Sequence, residues 1–561
     1  MYADPDRNAL HTRLCDVAYN LPGTTATETY LDPRKMLDVA TCSGADAVHP
    51  GYGFLSESEI FAQLIIDAGL VWIGPPPEAI RVLGDKVEAR RLAARAGAPL
   101  VPGTSDPVTD VEEILDFIDA HGLPVAIKAA HGGGGRGLKV ARRREEVKNL
   151  FAAAVREAEA AFGRGECFVE RFLDRPRHVE TQCLADAYGN IVVVSTRDCS
   201  LQRRHQKLVE EAPAPFLTAE QESELRRASI AILRAARYVG AGTVEFLVGV
   251  DGTISFLEVN ARLQVEHPVT EEVAGFDLVS EQLRIAAGEP LGYDAVSTRG
   301  HSLELRINSE DPGAGFLPAS GSITDLRWPS GPGVRVDTGV VTGDTVSAAF
   351  DSMLAKLIIT GHDRQQTIAR ARRALSEIEI AGVPTVIPFH RAVLSAPEFT
   401  GSDPVDFRVH TTWIETEFAD RLSRITTAVD RPPSPTTDAD TLPTDRYLVE
   451  VDGRRMEVLL PETLSPRRRQ GTARPSPKRS RRRRDSAVDP GALLASIQGI
   501  IVTIAVAEGD VVQCGDVILT LEAMKMEHPV TAHRGGRIHR LTAAIGDEVT
   551  PGTALCRIDD V

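Results

Sequence analysis

The sequence predicts an α+β multidomain protein that ends in a separate all-β domain, and three observations carry that expectation. Apolar runs alternate with helical patterns from residue 1 to about 415. The composition then breaks into Pro-, Thr- and Arg-rich stretches that cannot pack into a core. Near the C-terminus one motif occurs twice: Gly509-Asp510-Val511-Val512 returns 37 residues later as Gly546-Asp547-Glu548-Val549, each copy followed by an apolar strand. At 561 residues the chain has room for about three or four domains of roughly 150 residues.

Composition bounds the function. Hydrophobic residues make up 42% and charged residues 25%, and no apolar run reaches the length of a membrane span. The N-terminus lacks the charged and apolar regions of a secretory leader. Seven scattered cysteines without a CxxC spacing argue against a disulfide scaffold or zinc ribbon and point to a reducing, cytoplasmic setting. A net charge of −16 disfavours nucleic-acid binding by the chain as a whole. The exception is 467–484, with ten Lys/Arg and no acid, which reads as a solvated tether or, alternatively, a docking site for nucleic acid, polyphosphate or an acidic partner.

Element by element, Pro124-Val125-Ala126-Ile127 reads as a strand leading to Lys128, followed by Gly132, Gly133, Gly134, Gly135, Arg136 and Gly137. This tract formally satisfies G-x-G-x-x-G, but Leu138-Lys139-Val140 alternates like a second strand and no Lys-Ser/Thr follows. Neither a dinucleotide fold nor a Walker loop fits. A glycine-rich hairpin whose amides close over phosphates remains, with a flexible surface loop as the alternative.

Thr243–Val250 and Thr253–Asn260 flank Asp251-Gly252, a hairpin signal. If Val250 pairs with Thr253, Glu245 faces Glu258, and Asn260 shares the face of Glu258. Like charges directly opposed are destabilising. A hard cation, Mg²⁺ (or Mn²⁺), bound with nucleotide phosphates would reverse that penalty; two solvated glutamates are the alternative. Arg262, Gln264, Glu266 and His267 follow at once, a polar run able to hold an anion and supply a general base.

Beyond the loop at 427–445, Tyr447–Val451 and Arg455–Leu459 flank Asp452-Gly453, a second hairpin signal. In the duplicated unit, Ala523-Met524-Lys525-Met526 falls at the junction of the halves, a hairpin tip that projects Lys525 into water between two methionines suited to recognition.

Glu522-Ala523-Met524-Lys525-Met526-Glu527 resembles the biotin-attachment motif of biotin carboxyl carrier domains, and Asn260–Pro268 with its hairpin resembles the active-site signature of biotin carboxylases, members of the ATP-grasp superfamily. His49–Glu57, Gly84-Asp85-Lys86, Glu170–Leu173 and Arg197–Lys207 resemble further motifs of that family, in the family's order. The resemblance implies a biotin carboxylase N-terminal α/β domain at 1–82, an ATP-grasp domain at 83–300 with a lid at about 100–173, and a biotin carboxylase C-terminal domain at 301–415. A linker or adapter at 416–465, a basic tether at 466–489 and a flattened-barrel biotinyl domain at 490–561 complete it. Met1–Arg7 resembles the end of the family's second strand, so the first strand and helix are expected to lie upstream, which bears on the family's dimer surface.

The resemblance also implies roles. Lys86, Lys128, Gly132–Gly137, Glu170, Arg171, Leu173, His178, Gln202 and His205 would meet the nucleotide, and Glu245, Glu258 and Asn260 the metal. Glu266 would deprotonate bicarbonate, with Lys207, Arg262, Gln264 and the Val265 amide around the anion. Arg306 would face the biotin ureido oxygen; an ion pair with Glu304 or Glu310 is its alternative. Lys525 would carry biotin, attached by a biotin protein ligase and delivered to a separate carboxyltransferase β subunit of an acyl-CoA carboxylase. A carrier or assembly subunit without catalysis is the rival expectation.

Overall fold

A computed structural model describes residues 1–104, 106–129, 138–162, 164–422, 444–451, 454–461, 491–495, 499–523, 526–549 and 552–559. Its centre is an eight-stranded antiparallel sheet. In chain order the strands are β1 (Arg177–Ala185), β2 (Ile191–Arg203), β3 (Gln206–Ala212), β4 (Gly240–Val248), β5 (Ile254–Asn260), β6 (His301–Asn308), β7 (Val334–Thr338) and β8 (Met353–Gly361). Across the sheet they run β5-β4-β1-β2-β3-β6-β8-β7. The sheet continues across residue 300, because β3 pairs with β6 from Val209–Leu305 to Ala212–Ser302.

Strands β1, β2 and β6 are buried along nearly their whole length because both faces are covered, although they carry charged residues. Along β2, Val193 turns to one core with Leu225, Ala228 and Ile232 of the helix Ala219–Ala235. Val192 and Val194 turn to the other, with Leu278 and Ile285 of the helix Leu278–Ala286. Thr218 and Gln221 cap the first helix reciprocally, and the Asp277 side chain caps the second. On β6 and β8, Leu305, Leu357 and Ile359 meet Ile368, Ala371 and Leu375 of the helix Arg364–Glu377.

Smaller layers flank this sheet. Tyr2–Ala3 runs parallel to Asn20–Leu21, and Ala47–Val48 parallel to Val71–Trp72, beside the helices Pro33–Cys42, Glu59–Asp67 and Pro77–Gly84. Val125–Ala129 pairs antiparallel with both Leu138–Ala141 and Cys167–Arg171. The element after the glycine tract is thus a strand paired with the one before it, while Gly132–Gly137 themselves lie outside the described residues. Thr444–Val451 pairs with Arg454–Pro461, Val451 facing Arg454, the register expected of a two-residue connection.

The C-terminal unit is two four-stranded sheets, and its halves repeat down to single bonds. Gly509 and Gly546 each adopt φ of +93°, open to glycine and costly for other residues. Their N–H groups donate to Ile538 at 2.9 Å and Ile501 at 2.8 Å. Asp510 and Asp547 accept from Ala507 at 2.8 Å and Ala544 at 2.9 Å. Ala523 faces Met526 where the halves join; Met524 and Lys525 lie outside the described residues. No helix among the described residues is long and apolar enough to cross a membrane.

One buried ion pair ties helix to sheet. Glu211 on β3 accepts from Arg364 Nε at 2.7 Å and from Arg364 Nη2 at 3.1 Å, and lies 2.8 Å from His301 Nε2. Burial works against its charge, but Arg364 and His301 outweigh it and bring its pKa down to about 2. A depressed carboxylate contributes stability above its unfolded pKa, near 4.5, and loses it as pH falls toward 2. Glu211→Gln is expected to cost about 3 kcal/mol at pH 7 and to approach the unmutated protein at pH 3. Urea unfolding at the two pH values checks this, and an equal gap at both counts against it.

Candidate active site

Side by side across four strands stand Glu258 on β5, Glu245 on β4, Glu180 on β1 and Arg197 on β2. The expected opposition of Glu245 and Glu258 is present, but the hairpin reaches it by another route. Val248 pairs with Ile254 and Phe246 with Phe256, one residue out of step with the sequence reading. An extra residue, Leu257, bulges outward and restores the register before Glu258. The predicted closure by Val250 and Thr253 fails because Asp251 Oδ1 accepts from the Thr253 amide at 3.0 Å. Gly249 N–H instead closes the loop on the Thr253 carbonyl at 2.8 Å.

Three carboxylates in one row demand cations. Arg197 is fully buried and uses all five of its N–H groups: on Glu180, on Gln182 at 2.7 Å, Thr270 at 3.0 Å, Thr243 at 3.1 Å and Gln264 at 3.0 Å. Lys207 Nζ lies 2.7 Å from Glu180, 2.9 Å from Glu245 and 2.6 Å from Glu266. Burial opposes the lysine's charge, yet the three carboxylates hold its pKa well above the usual value. His178 Nε2 is 3.0 Å from Glu245. Burial disfavours its cation too, but Glu245 prevails and raises its pKa.

Glu245 and Glu258 differ. Burial opposes the Glu245 charge, but Lys207 and His178 hold its pKa well below the carboxylate range. Burial first, and then the Glu245 charge, push Glu258 upward; its side chain is 39% exposed, with Lys86 Nζ 3.9 Å away. One carboxylate is thus anchored and the other is accessible with a raised affinity for positive charge. That donor set fits a hard divalent cation. Asn260 Nδ2 donates to Glu245 Oε1 at 2.8 Å and its Oδ1 accepts from Arg262 at 3.0 Å. His178, expected at the nucleotide, also offers a ligand atom beside those of Glu180 and Glu245.

The anion end adjoins. Glu266, buried, lies between Lys207 at 2.6 Å and Arg306 Nη2 at 3.0 Å. Burial would raise its pKa, but Lys207, Arg306 and Arg197 hold it far below the ordinary value. Arg306 takes neither sequence-expected partner: its Nε donates to Glu210 at 2.6 Å. Arg262 Nε donates to Glu57 at 2.8 Å, and the Val265 carbonyl accepts from Lys356 at 3.0 Å. Gln264 is already engaged at both ends, accepting from Arg197 and donating to Glu245 at 3.0 Å. It is a strut of the row, because adjacent carboxylates need every donor within reach.

The nucleotide candidates spread along the rim. Lys86 opens the helix Lys86–Arg95, capped by Asp85. Lys128 contacts Glu170, and Arg90 lies 3.4 Å from the same carboxylate. Arg171 lies 3.8 Å from Asp251, and Leu173 is buried. Gln202, buried, faces Lys207 across β2 and β3. Exposed His205 shares the tip of that hairpin with Arg204, at φ +67° and +47°, a backbone that non-glycine residues adopt at a cost. Arg136 and the glycines around it lie outside the described residues, as does Lys525.

Sequence reasoning missed Glu180, Arg197, Glu57 and Glu210. His178-Val179-Glu180 does alternate, which puts His178 and Glu180 on one face, but only the pairing of β1 with β4 reveals which one.

Comparison with known proteins accounts for nearly all of the chain. Residues 1–80 match the biotin carboxylase N-terminal domain, 85–293 the ATP-binding domain of the carbamoyl-phosphate synthase L chain, 304–416 the biotin carboxylase C-terminal domain and 487–558 a biotin-requiring enzyme domain. The alpha3 subunit of a biotin-dependent acyl-coenzyme A carboxylase from Mycobacterium leprae is 55% identical over 567 residues, covering 100% of this chain and 94% of its own. A biotin carboxylase from Campylobacter jejuni in a β,γ-ATP complex aligns at TM-score 0.69 and 36% identity, over 74% of this chain and 92% of that one. The biotin carboxylase domain dimer of Hydrogenobacter thermophilus 2-oxoglutarate carboxylase, with MgADP and bicarbonate, aligns at TM-score 0.69 and 39% identity, over 75% and 92%.

Arg197→Met removes one of the two cations that hold a fully buried Glu180, Lys207 being the other, and is expected to destabilise the chain by about 3–5 kcal/mol. Adding Glu180→Gln is expected to restore part of that loss. Thermal unfolding of the single and double variants checks this, and a double variant no more stable than the single one contradicts it.

Proposed function

The chain belongs to the biotin-dependent carboxylases, with biotin carboxylase and biotinyl domains on one polypeptide, and we propose that the carboxylate row and its neighbours carry out its ligase step. It is an acyl-CoA carboxylase α subunit, using ATP and bicarbonate to carboxylate biotin for a carboxyltransferase partner. The whole-chain match to such a subunit does not favour a carrier without catalysis.

One observation carries the assignment of the site: the Lys207 ammonium touches Glu180, Glu245 and Glu266 together, joining the metal end to the anion end. A divalent cation held by Glu245 and Glu258, with Asn260 beside them, would neutralise phosphate charge. Lys86 and Lys128, with the Gly132–Gly137 segment, would bind the phosphates, and Glu170, Arg171, Leu173, His178, Gln202 and His205 the rest of the nucleotide. Arg262 and Lys207, with the Val265 amide and the second Nε2–H of Gln264, whose first is held by Glu245, would position bicarbonate against the nucleotide.

Glu266 is the residue to take the bicarbonate proton. Between Lys207 and Arg306 it is a weak base. As Lys207 turns to the incoming anion, Glu266 loses one cation and its proton affinity rises. Arg306 stays on the biotin side, where its charge would stabilise negative charge developing on the ureido oxygen. Biotin, attached at Lys525 by a biotin protein ligase, supplies the carboxyl acceptor. A homodimer and a cytoplasmic setting complete the reading, the former supported by the dimeric relative.

Glu266→Gln is expected to lower bicarbonate-dependent ATP hydrolysis at least 100-fold while streptavidin still captures the chain through Lys525. Lys525→Arg is expected to reverse the pattern, abolishing capture and sparing hydrolysis with free biotin. Undiminished hydrolysis in Glu266→Gln refutes the assigned base. Glu258→Gln is expected to raise the magnesium concentration needed for half-maximal activity at least tenfold, since the accessible carboxylate of the pair is lost; an unchanged titration removes Glu258 from the metal site.

A further inference from the structure

A second pair of opposed acids lies on the far side of Arg306. Glu210 on β3 and Glu304 on β6 face each other directly, and both are 0% exposed. Glu210 uses one oxygen, accepting from Arg306 Nε at 2.6 Å. Its other oxygen and both oxygens of Glu304 are buried without a hydrogen-bond partner. Two carboxylates in that position cannot both stay ionised, so the pair keeps a proton.

A bulge in β3 places this pair beside the site. The extra residue between Lys207 and Val209 breaks the two-residue alternation, so Lys207 and Glu210, three apart, both reach the cluster around Glu266. The result is a continuous buried chain: Lys207 on Glu266, Glu266 on Arg306, Arg306 on Glu210, and Glu210 opposite Glu304.

Resting on the roles given above to Arg306 and Glu266, we infer that Glu210 is a positioning residue: its carboxylate pins Arg306 through Nε when Glu266 is neutralised by the proton it accepts, and Glu304 is the neutral member of the pair. Arg306 has two carboxylate partners in the resting cluster. Once Glu266 is protonated, Glu210 is the remaining anion bonded to the guanidinium.

The surrounding charges agree. Glu210 faces Arg306 and Glu304 from β6, Glu266 from the loop after β5, Lys207 from its own strand, and from β2 the Cys199 thiol, which burial keeps protonated. Burial, despite Arg306, raises its pKa to about 7. Glu304 faces Lys356 on β8 and lies near Tyr52; burial first, then the charge of Glu210, drives its pKa well above the usual value. The pin is therefore present above pH 7 and lost as pH falls below it.

The test is the pH profile of ADP release by the biotinylated full-length chain at saturating ATP, bicarbonate and biotin. The unmutated protein is expected to show an acid limb near pH 7. Glu210→Gln is expected to lower kcat more than tenfold at pH 8, to leave KM for ATP within twofold and to abolish that limb. Glu304→Gln, which exchanges a neutral acid for an amide of the same shape, is expected to keep the limb. An unmutated profile flat from pH 6 to 8 overturns the inference even if Glu210→Gln fails to fold. Wild-type kcat and pH profile in Glu210→Gln, or loss of the limb in Glu304→Gln, overturns it as well. Absence of biotin-dependent ADP release from the unmutated chain refutes instead the function on which the inference rests.

Discussion

Three glutamates held in register across adjacent strands are an interaction that a sheet does not tolerate unaided. Glu258, Glu245 and Glu180 repel one another, and burial removes the water that would screen them. Everything nearby answers that repulsion. Arg197 extends the row on the fourth strand, donating to Glu180 and held in place by Gln182, Thr243, Thr270 and Gln264, Lys207 bridges three carboxylates, and Gln264 links Arg197 to Glu245. Glu258, half exposed at the end of the row, is the carboxylate left to a cation from outside.

The architecture places this row next to a second charged system. Because one sheet runs across residue 300, β6 brings Arg306 to Glu266 and Glu210, while the polar loop after β5 brings Glu266 to Lys207. Lys207 and Arg306 thus hold Glu266 from two sides. The low pKa of Glu266 is a property of the resting cluster and relaxes when either cation turns to substrate. A fixed network of this kind keeps charges in place before the substrate arrives and limits reorganisation during the reaction.

The C-terminal unit follows a simpler logic. Its two halves repeat the glycine at φ of +93° and the aspartate that closes each turn, so duplication in the sequence is duplication in backbone geometry. Where the halves join, Ala523 faces Met526.

The sequence by itself determined what is local. Periodicity marked the strands, the duplicated Gly-Asp motif marked the C-terminal unit, and the hairpin placed Glu245 against Glu258. That last reading reached the right pair although the turn closes on Gly249, because the bulge at Leu257 cancels the slip. Tertiary structure decided what depends on strands distant in the chain: that Glu180 and Arg197 extend the row, that Glu57 clamps Arg262 across 205 positions, and that Arg306 chooses Glu210 over Glu304 or Glu310. The physical reason is that alternation tells which residues share a face of a strand, whereas the register between distant strands, and so the identity of neighbouring charges, follows only once the whole sheet has assembled.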